Sequence, residues 1–306
     1  MNKQGVLVVG SSNIDLVVTA PRFPNPGETI FGKKFEMFPG GKGANQAVCA
    51  ARLGCKTIFI GKMGNDEFRE KLLQILINDG IDIRNIFVDE NEHTGTAFIT
   101  VDDNGQNQII VISGSNMRLT PEDIDSKSHL LSDVAVVLTQ LETPISTVIR
   151  SAELAKENGA VFILNPAPVT KLPESLFQLV DYLIPNENEL ELISGLKITD
   201  ERSITYASER MLNKGIKNII VTLGDMGAML FNQEKVKRFP TKQVKVVDTT
   251  AAGDAFNGAL AYRLSEGDSV EEAIEFANNI ASIVVTRMGA QSSMPYLDEV
   301  KNLLPH

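Results

Sequence analysis

Short, wholly apolar runs alternate along this chain with stretches whose apolar residues recur every three or four positions. Val6, Leu7, Val8 and Val9 end at Gly10 and show no polar residue on either side of the pleat, as a strand covered on both faces requires. Similar runs occupy residues 57–60, 134–138, 161–164, 182–184 and 219–222. Between them, residues 66–79 place Phe68, Leu72, Leu73, Ile75 and Leu76 at helical spacing, with Asp66 as the cap. Residues 144–158 and 269–286 read the same way, the second with Asp268 or Ser269 as cap and Glu271 and Glu272 in its first turn. This alternation predicts an α/β fold, a doubly wound, mainly parallel sheet flanked by helices.

Residues 14–37 and 92–112 break that rhythm with alternating strands and turns, and Asp103-Asn104-Gly105 is a strong hairpin signal. They predict a small separate β-sheet, which has no place inside a parallel layer and is expected as a lid over the strand ends. Neither a Pro/Ser-rich linker nor an internal repeat divides the chain, so residues 1–306 are expected to form one α/β domain, with lid strands drawn from about 14–38 and 92–112.

Composition narrows the function classes. Hydrophobic residues at 43% and charged residues at 22% describe a globular chain rather than a disordered one. The balance of 29 Lys+Arg against 39 Asp+Glu, net -10, argues against nucleic acid as a partner. A phosphorylated ligand must instead be met locally, by backbone N–H groups, a few basic side chains and a metal ion. Cys49 and Cys55 have neither metal-ligand nor disulfide-framework spacing and read as thiols in a reducing compartment. Without a signal segment or an apolar run near the ~20 residues that span a bilayer, no membrane is expected and the location is expected to be cytoplasmic.

Candidate chemistry clusters where apolar runs end. Gly40-Gly41-Lys42-Gly43-Ala44-Asn45-Gln46 opens an amphipathic helix over 44–53 and is either a tight turn or a loop that lets a ligand approach the backbone, with Lys42 and Asn45 as donors. It matches neither the Walker A nor the Gly-x-Gly-x-x-Gly pattern. Asp248-Thr249-Thr250-Ala251-Ala252-Gly253-Asp254 puts small residues at a helix start, where N–H groups suit developing phosphoryl charge. Asp254 either caps that helix or accepts a proton from an attacking hydroxyl, and the small residues before it favour the second. Asn13 and Asp15, two apart on an extended chain, either hold adjacent hydroxyls or make a turn. Glu142 falls at a strand end. Asn186-Glu187-Asn188-Glu189 either orients Mg²⁺ through waters or caps a helix. Thr222, Leu223, Gly224, Asp225, Met226 and Gly227 either wrap a nucleotide or form a glycine-rich hairpin. The histidines, His93, His129 and His306, are scattered and suggest no catalytic triad.

With both glycine-rich motifs in view, GGKGANQAVCAARLG at 40–54 and DTTAAGDAFNG at 248–258, the chain resembles the ribokinases of the phosphofructokinase-B family of sugar and nucleoside kinases, from Val6 to Pro295. Ala251 stands where many of that family have Gly, a departure common among ribokinases. The resemblance implies ATP-dependent phosphorylation of the 5-hydroxyl of a pentose, D-ribose above all, with Asn13, Asp15, Gly41, Lys42, Asn45 and Glu142 on the sugar and Asp254 as base. It further implies an anion hole at Ala252, Gly253 and Asp254. ATP would lie against Asn186, 222–227, Gly253 and Asn278, with Glu189 helping to place Mg²⁺. A monovalent-cation loop, usually filled by potassium (K⁺), would draw on Asp248, Thr250, Val284, Arg287, Gly289 and Ser293. A homodimer through the lid sheet is implied as well. Kinases of the same family for deoxyribose, fructose or a nucleoside are the near alternatives, and a non-catalytic sugar-sensing protein the distant one. The absence of Trp and the presence of only four Tyr speak against a lid built for a nucleobase.

Overall fold

The computed structural model describes residues 3–303. Strands in chain order are β1 (Val6–Val9), β2 (Asn13–Thr19), β3 (Lys34–Gly40), β4 (Thr57–Gly64), β5 (Ile86–Asp89), β6 (Gly95–Val101), β7 (Asn107–Ile112), β8 (Val136–Thr139), β9 (Val161–Leu164), β10 (Tyr182–Leu183), β11 (Asn218–Thr222), β12 (Ala228–Asn232) and β13 (Val236–Phe239). Helices are α1 (Lys42–Arg52), α2 (Glu67–Asn78), α3 (Pro121–Asp125), α4 (Ile145–Glu157), α5 (Glu174–Phe177), α6 (Glu187–Ser194), α7 (Glu201–Leu212), α8 (Ala252–Glu266), α9 (Val270–Val284) and α10 (Leu297–Val300).

Nine strands form one sheet in the order β13-β12-β11-β10-β9-β8-β1-β4-β5. Pairing is parallel from β11 through β5 and antiparallel at β11–β12 and β12–β13. Alternation along β1 sends Val6 and Val8 to a core shared with α1, α8 and α9, while Leu7 and Val9 join a second core with α4 and α7. Both faces are thus covered, which is why β1 carries no polar residue.

The expected helices form with their expected caps. Asp66 accepts from the Arg69 N–H, and Ser269 and Glu272 close a capping box at the start of α9. The Gly-rich helix α1 begins at Lys42, two residues before its apolar pattern, because Gly41 at φ 85° turns the chain directly into it. The apolar run at 134–138 enters the sheet only at Val136, and of the run at 182–184 only Tyr182 and Leu183 pair.

The second sheet has the order β3-β2-β6-β7, with β2 and β6 parallel and the outer pairs antiparallel. It is built from the segments at 14–37 and 92–112 that the sequence sets apart as a separate sheet, and Gly105, at φ 76°, makes the turn between β6 and β7. Because β2 follows β1 after Ser11 and Ser12, the small sheet is fastened at the carboxyl end of the central strand.

Candidate active site

Chemistry collects at the carboxyl ends of the parallel strands, where an open α/β sheet leaves a crevice. β1 delivers Ser11 to Asp15, β8 delivers Gln140 and Glu142, β9 delivers Asn165, and β10 and β11 deliver Asn186 and Thr222. Helices α1 and α8 pack against each other across this end. Close packing there depends on glycine: a Cβ on Gly43 would lie 2.6 Å from the Ser11 nitrogen, and one on Gly41 2.7 Å from the Ser12 Cα.

Asp254 lies in the first turn of α8 and is 6% exposed. Its Oδ2 accepts from Asn45 Nδ2 at 2.9 Å and its Oδ1 from Gln46 Nε2 at 3.0 Å. The helix cap is instead Ala251, a non-glycine residue in the left-handed region at φ 59° with no side-chain capping bond. Asp254 is therefore not the cap, which removes the simpler of the two readings of this residue. The Ala252 N–H is engaged by the Thr249 carbonyl at 3.2 Å, which leaves the N–H groups of Gly253 and Asp254 as the donors of the helix start.

The other acids converge on Asp254. Burial first, then the charges of Glu142 and Asp254, push Asp15 up to about 6. Burial pulls Lys42 down, but the carboxylates of Asp254, Glu142 and Glu189 outweigh it and hold the ammonium above its ordinary value. Burial also raises Glu189, against its hydrogen bond from the Asn186 N–H and the charge of Lys42. Glu142 accepts from the Ser11 hydroxyl and, at 3.0 Å, from the Lys42 N–H, so it ties β8 to the start of α1. Asn13 is fixed by Asn116, whose Nδ2 donates to Asn13 Oδ1 at 2.8 Å and whose Oδ1 accepts from the Ser12 N–H at 3.0 Å.

Beside this acidic chamber lies a cleft of about 680 Å³, within the ~300–1,000 Å³ of ordinary ligand sites. Of the residues expected to face a nucleotide, Asn186, Thr222, Gly224, Asp225, Gly227, Gly253 and Asn278 line it. Leu223 is buried in the core and Met226 is exposed, and neither lines the cleft. Asn186 and Glu189 form the capping box of α6, the Asn186 side chain accepting from the Glu189 N–H at 2.8 Å and Glu189 Oε2 from the Asn186 N–H at 2.9 Å. Asn278 Nδ2 donates to the Phe239 carbonyl at 3.0 Å.

Residues 247–250 and 284–293 meet as two facing loops. Asp248 builds the junction: it accepts from the Thr250 N–H and hydroxyl at 2.9 and 2.6 Å and from the Gly289 N–H at 2.8 Å. Burial raises its carboxyl, but these bonds outweigh it and bring Asp248 below its usual range. The Val284 carbonyl accepts from the Arg287 N–H, while Arg287 itself pairs with Glu299. Ser293 turns its hydroxyl to the Ala290 carbonyl at 2.7 Å. Among the described residues no group of three or more His, Cys, Asp or Glu is placed to hold a metal.

Several residues of the site lay outside the sequence reading. Gln46 sat inside a quoted motif without a role, and Asn165 closes an apolar run just as Glu142 does, a signal that could have found it. Asn116 and Gln291, whose Nε2 donates to Asn45 Oδ1 at 3.1 Å, come from short 3-10 turns and carry no local signature. The apolar wall of the cleft, Val244, Val246, Phe256, Ala281 and Val285, is assembled from three separate segments.

A lidded, doubly wound sheet with its polar residues gathered at the strand ends places the protein among the α/β enzymes that act on small molecules. More narrowly, the chain belongs to the pfkB family of carbohydrate kinases, whose profile matches residues 3–297, and it is therefore a phosphotransferase with an alcohol group as acceptor. It is 40% identical over 300 residues to a ribokinase of Staphylococcus aureus, covering 97% of this chain and 99% of that protein. A deoxyribokinase of Salmonella typhi is 36% identical over 300 residues, covering 98% of each. A ribokinase of Arabidopsis thaliana, solved in complex with ribose and ATP, superposes with a TM-score of 0.93 at 37% identity, covering 99% of both chains.

Proposed function

We propose that the chain transfers the γ-phosphoryl group of ATP to the 5-hydroxyl of D-ribose, giving ribose 5-phosphate and ADP. The observation that carries this reading is the setting of Asp254: a buried carboxylate one residue beyond Ala252 and Gly253, which line the nucleotide-sized cleft, and electrostatically coupled to Asp15 and Lys42 on the other side. Asp254 takes the hydroxyl proton as the sugar oxygen bonds to phosphorus and the bond to the β-phosphate oxygen breaks. The N–H groups of Gly253 and Asp254, with Lys42, steady the phosphoryl charge. Asn13, Asp15, Gly41, Asn45 and Glu142 hold the pentose, and the lid keeps out water that would otherwise hydrolyse ATP.

Mg²⁺ would supply neutralising charge to the phosphates, and Glu189, whose Oε1 is left over from the capping box, would help to hold it through water. A monovalent cation such as potassium would be held by the loops at 248–250 and 284–293, whose junction Asp248 shapes. The cytoplasm suits a consumer of ATP whose Cys49 and Cys55 are free and buried. Among the described residues no helix is long and apolar enough to cross a membrane. The lid sheet is the dimer interface, its apolar residues Phe35, Phe98, Ile109 and Ile110 being exposed in the single chain.

The rival acceptor is 2-deoxyribose, as the deoxyribokinase relative suggests. ADP release measured with ribose, 2-deoxyribose, fructose and adenosine, each with and without potassium, decides between them. Ribose is expected to give the highest kcat/KM, and Asp254→Asn to lower kcat about 10²–10⁴-fold. A higher kcat/KM for another acceptor overturns the ribose assignment, and an undiminished kcat in Asp254→Asn overturns the base.

A further inference from the structure

Each oxygen of the Asp254 carboxylate accepts from a side-chain amide of α1, and the two amides differ in kind. Asn45 is a sugar ligand in the reading above. Gln46 is fully buried and points wholly into a hydrogen-bonded interior. Its Nε2 donates one hydrogen to Asp254 Oδ1 and the other to Asn165 Oδ1, both at 3.0 Å, and its Oε1 accepts from Gln140 Nε2 at 2.6 Å. Both of its N–H groups and one of the two lone pairs of its oxygen are thus engaged.

The orientation of this chain of amides is set at its far end. Asn165 Nδ2 donates to the Ile184 carbonyl at 3.2 Å, and a backbone carbonyl can only accept. Asn165 must therefore turn its oxygen to Gln46, and Gln46 must turn its N–H groups to Asn165 and Asp254. Gln140 agrees with that orientation by donating to the Gln46 oxygen.

We propose that Gln46 is the positioning residue of the catalytic base: anchored through Asn165 to the Ile184 carbonyl, it presents a fixed N–H to Asp254 Oδ1 and leaves the remaining lone pairs of the carboxylate for the acceptor hydroxyl. The proposal rests on the reading of Asp254 as base. A carboxylate offers about four lone-pair sites, so two amide donors hold it without exhausting it. A neutral donor suits the chamber, because Asp254 already faces the carboxyls of Asp15 from β2 and Glu189 from α6, with Glu142 of the β8 end beside them. Lys42 of α1 faces three of these four acids, and the Cys49 thiol, also of α1, faces Asp254. An N–H to the base favours its charged form without adding a charge that the phosphoryl group would meet.

The test is Gln46→Glu, which keeps the shape and replaces the donor by a like charge. Relative to wild type, kcat with ribose is expected to fall about 10- to 100-fold at pH 7.5, and the acid limb of the kcat profile to move up by about one pH unit or more. KM for ribose and the affinity for ATP are expected to stay within about twofold, a split that a general loss of structure would not give. A folded Gln46→Glu protein with wild-type kcat and an unmoved acid limb overturns the proposal. Gln140→Met touches Gln46 alone among the residues of this relay, and should lower kcat about three- to tenfold at unchanged KM. If Gln46→Glu does not fold, wild-type kcat in Gln140→Met is the overturning result. Asp254→Asn, assayed alongside, separates the two claims: full turnover in it removes the base itself, whereas its inactivity beside an unaffected Gln46→Glu removes only the positioning role.

Discussion

Asp15 carries the chamber's largest departure of an acid from its ordinary value, raised to about 6 by burial and by the charges of Glu142 and Asp254. The sign of its linkage to stability follows. A carboxyl that titrates higher when folded than when unfolded favours the fold while it is protonated, so its contribution is complete below the unfolded value of 3.8 and is lost as pH rises through about 6. Sugar-free protein is therefore expected to lose part of its Tm between about pH 4 and pH 6, and Asp15→Asn to flatten that slope and raise Tm above pH 6. The same substitution should raise KM for ribose about tenfold or more, because sugar hydroxyls lose a charged acceptor. A variant with a Tm–pH curve parallel to wild type, or with unchanged KM, would take Asp15 out of this role. Asp254 sits in the same group of acids, with amide donors on both of its oxygens.

At the scale of elements, the start of α1 and the start of α8 do complementary work. Helix α1 reaches the end of β1 through Gly41 and brings Lys42, Asn45 and Gln46 to the acid that α8 presents. Gly41→Ala puts a Cβ on a left-handed residue 2.7 Å from the Ser12 Cα. The expected cost is about 2 kcal/mol or more, read as a drop of several degrees in Tm, together with lower kcat as α1 shifts from Asp254. Wild-type Tm in Gly41→Ala would mean that the loop relaxes without consequence. Much of this arrangement was legible in the chain, since the periodic runs gave the helices and strands, and Asp66 and Ser269 marked their caps. That Asp254 is not the cap of α8 was not, because a carboxylate near a helix start looks alike as cap and as the base proposed above. Ala251 in the cap position and the amides of Asn45 and Gln46 separate the two, and those contacts join residues more than 200 positions apart.

For the whole molecule, the proposed dimer interface is the exposed apolar surface of the lid sheet. All six residues of β7 are exposed, four of them the consecutive apolar Ile109, Ile110, Val111 and Ile112, and Phe31, Phe35 and Phe98 add to that surface. An edge strand of this kind pairs with another chain unless something covers it. Light scattering on a sizing column is expected to give twice the 33.4 kDa of one chain, and Ile110→Lys to return it to 33.4 kDa. A wild-type protein running as a monomer at micromolar concentration would remove the lid interface.

The sequence by itself determined the alternation of central strands with helices, the separateness of the small sheet and the two glycine-rich motifs, because each is encoded within a few neighbouring residues by periodicity, capping and turn chemistry. Tertiary structure alone decided which polar groups meet: that Gln46 and Asn165 steady Asp254, that Asn116 locks Asn13, and that valines from distant segments wall the cleft. Hydrogen-bond geometry and burial depend on distances between elements, and a linear chain fixes those only once its two cores have packed on the faces of the sheet.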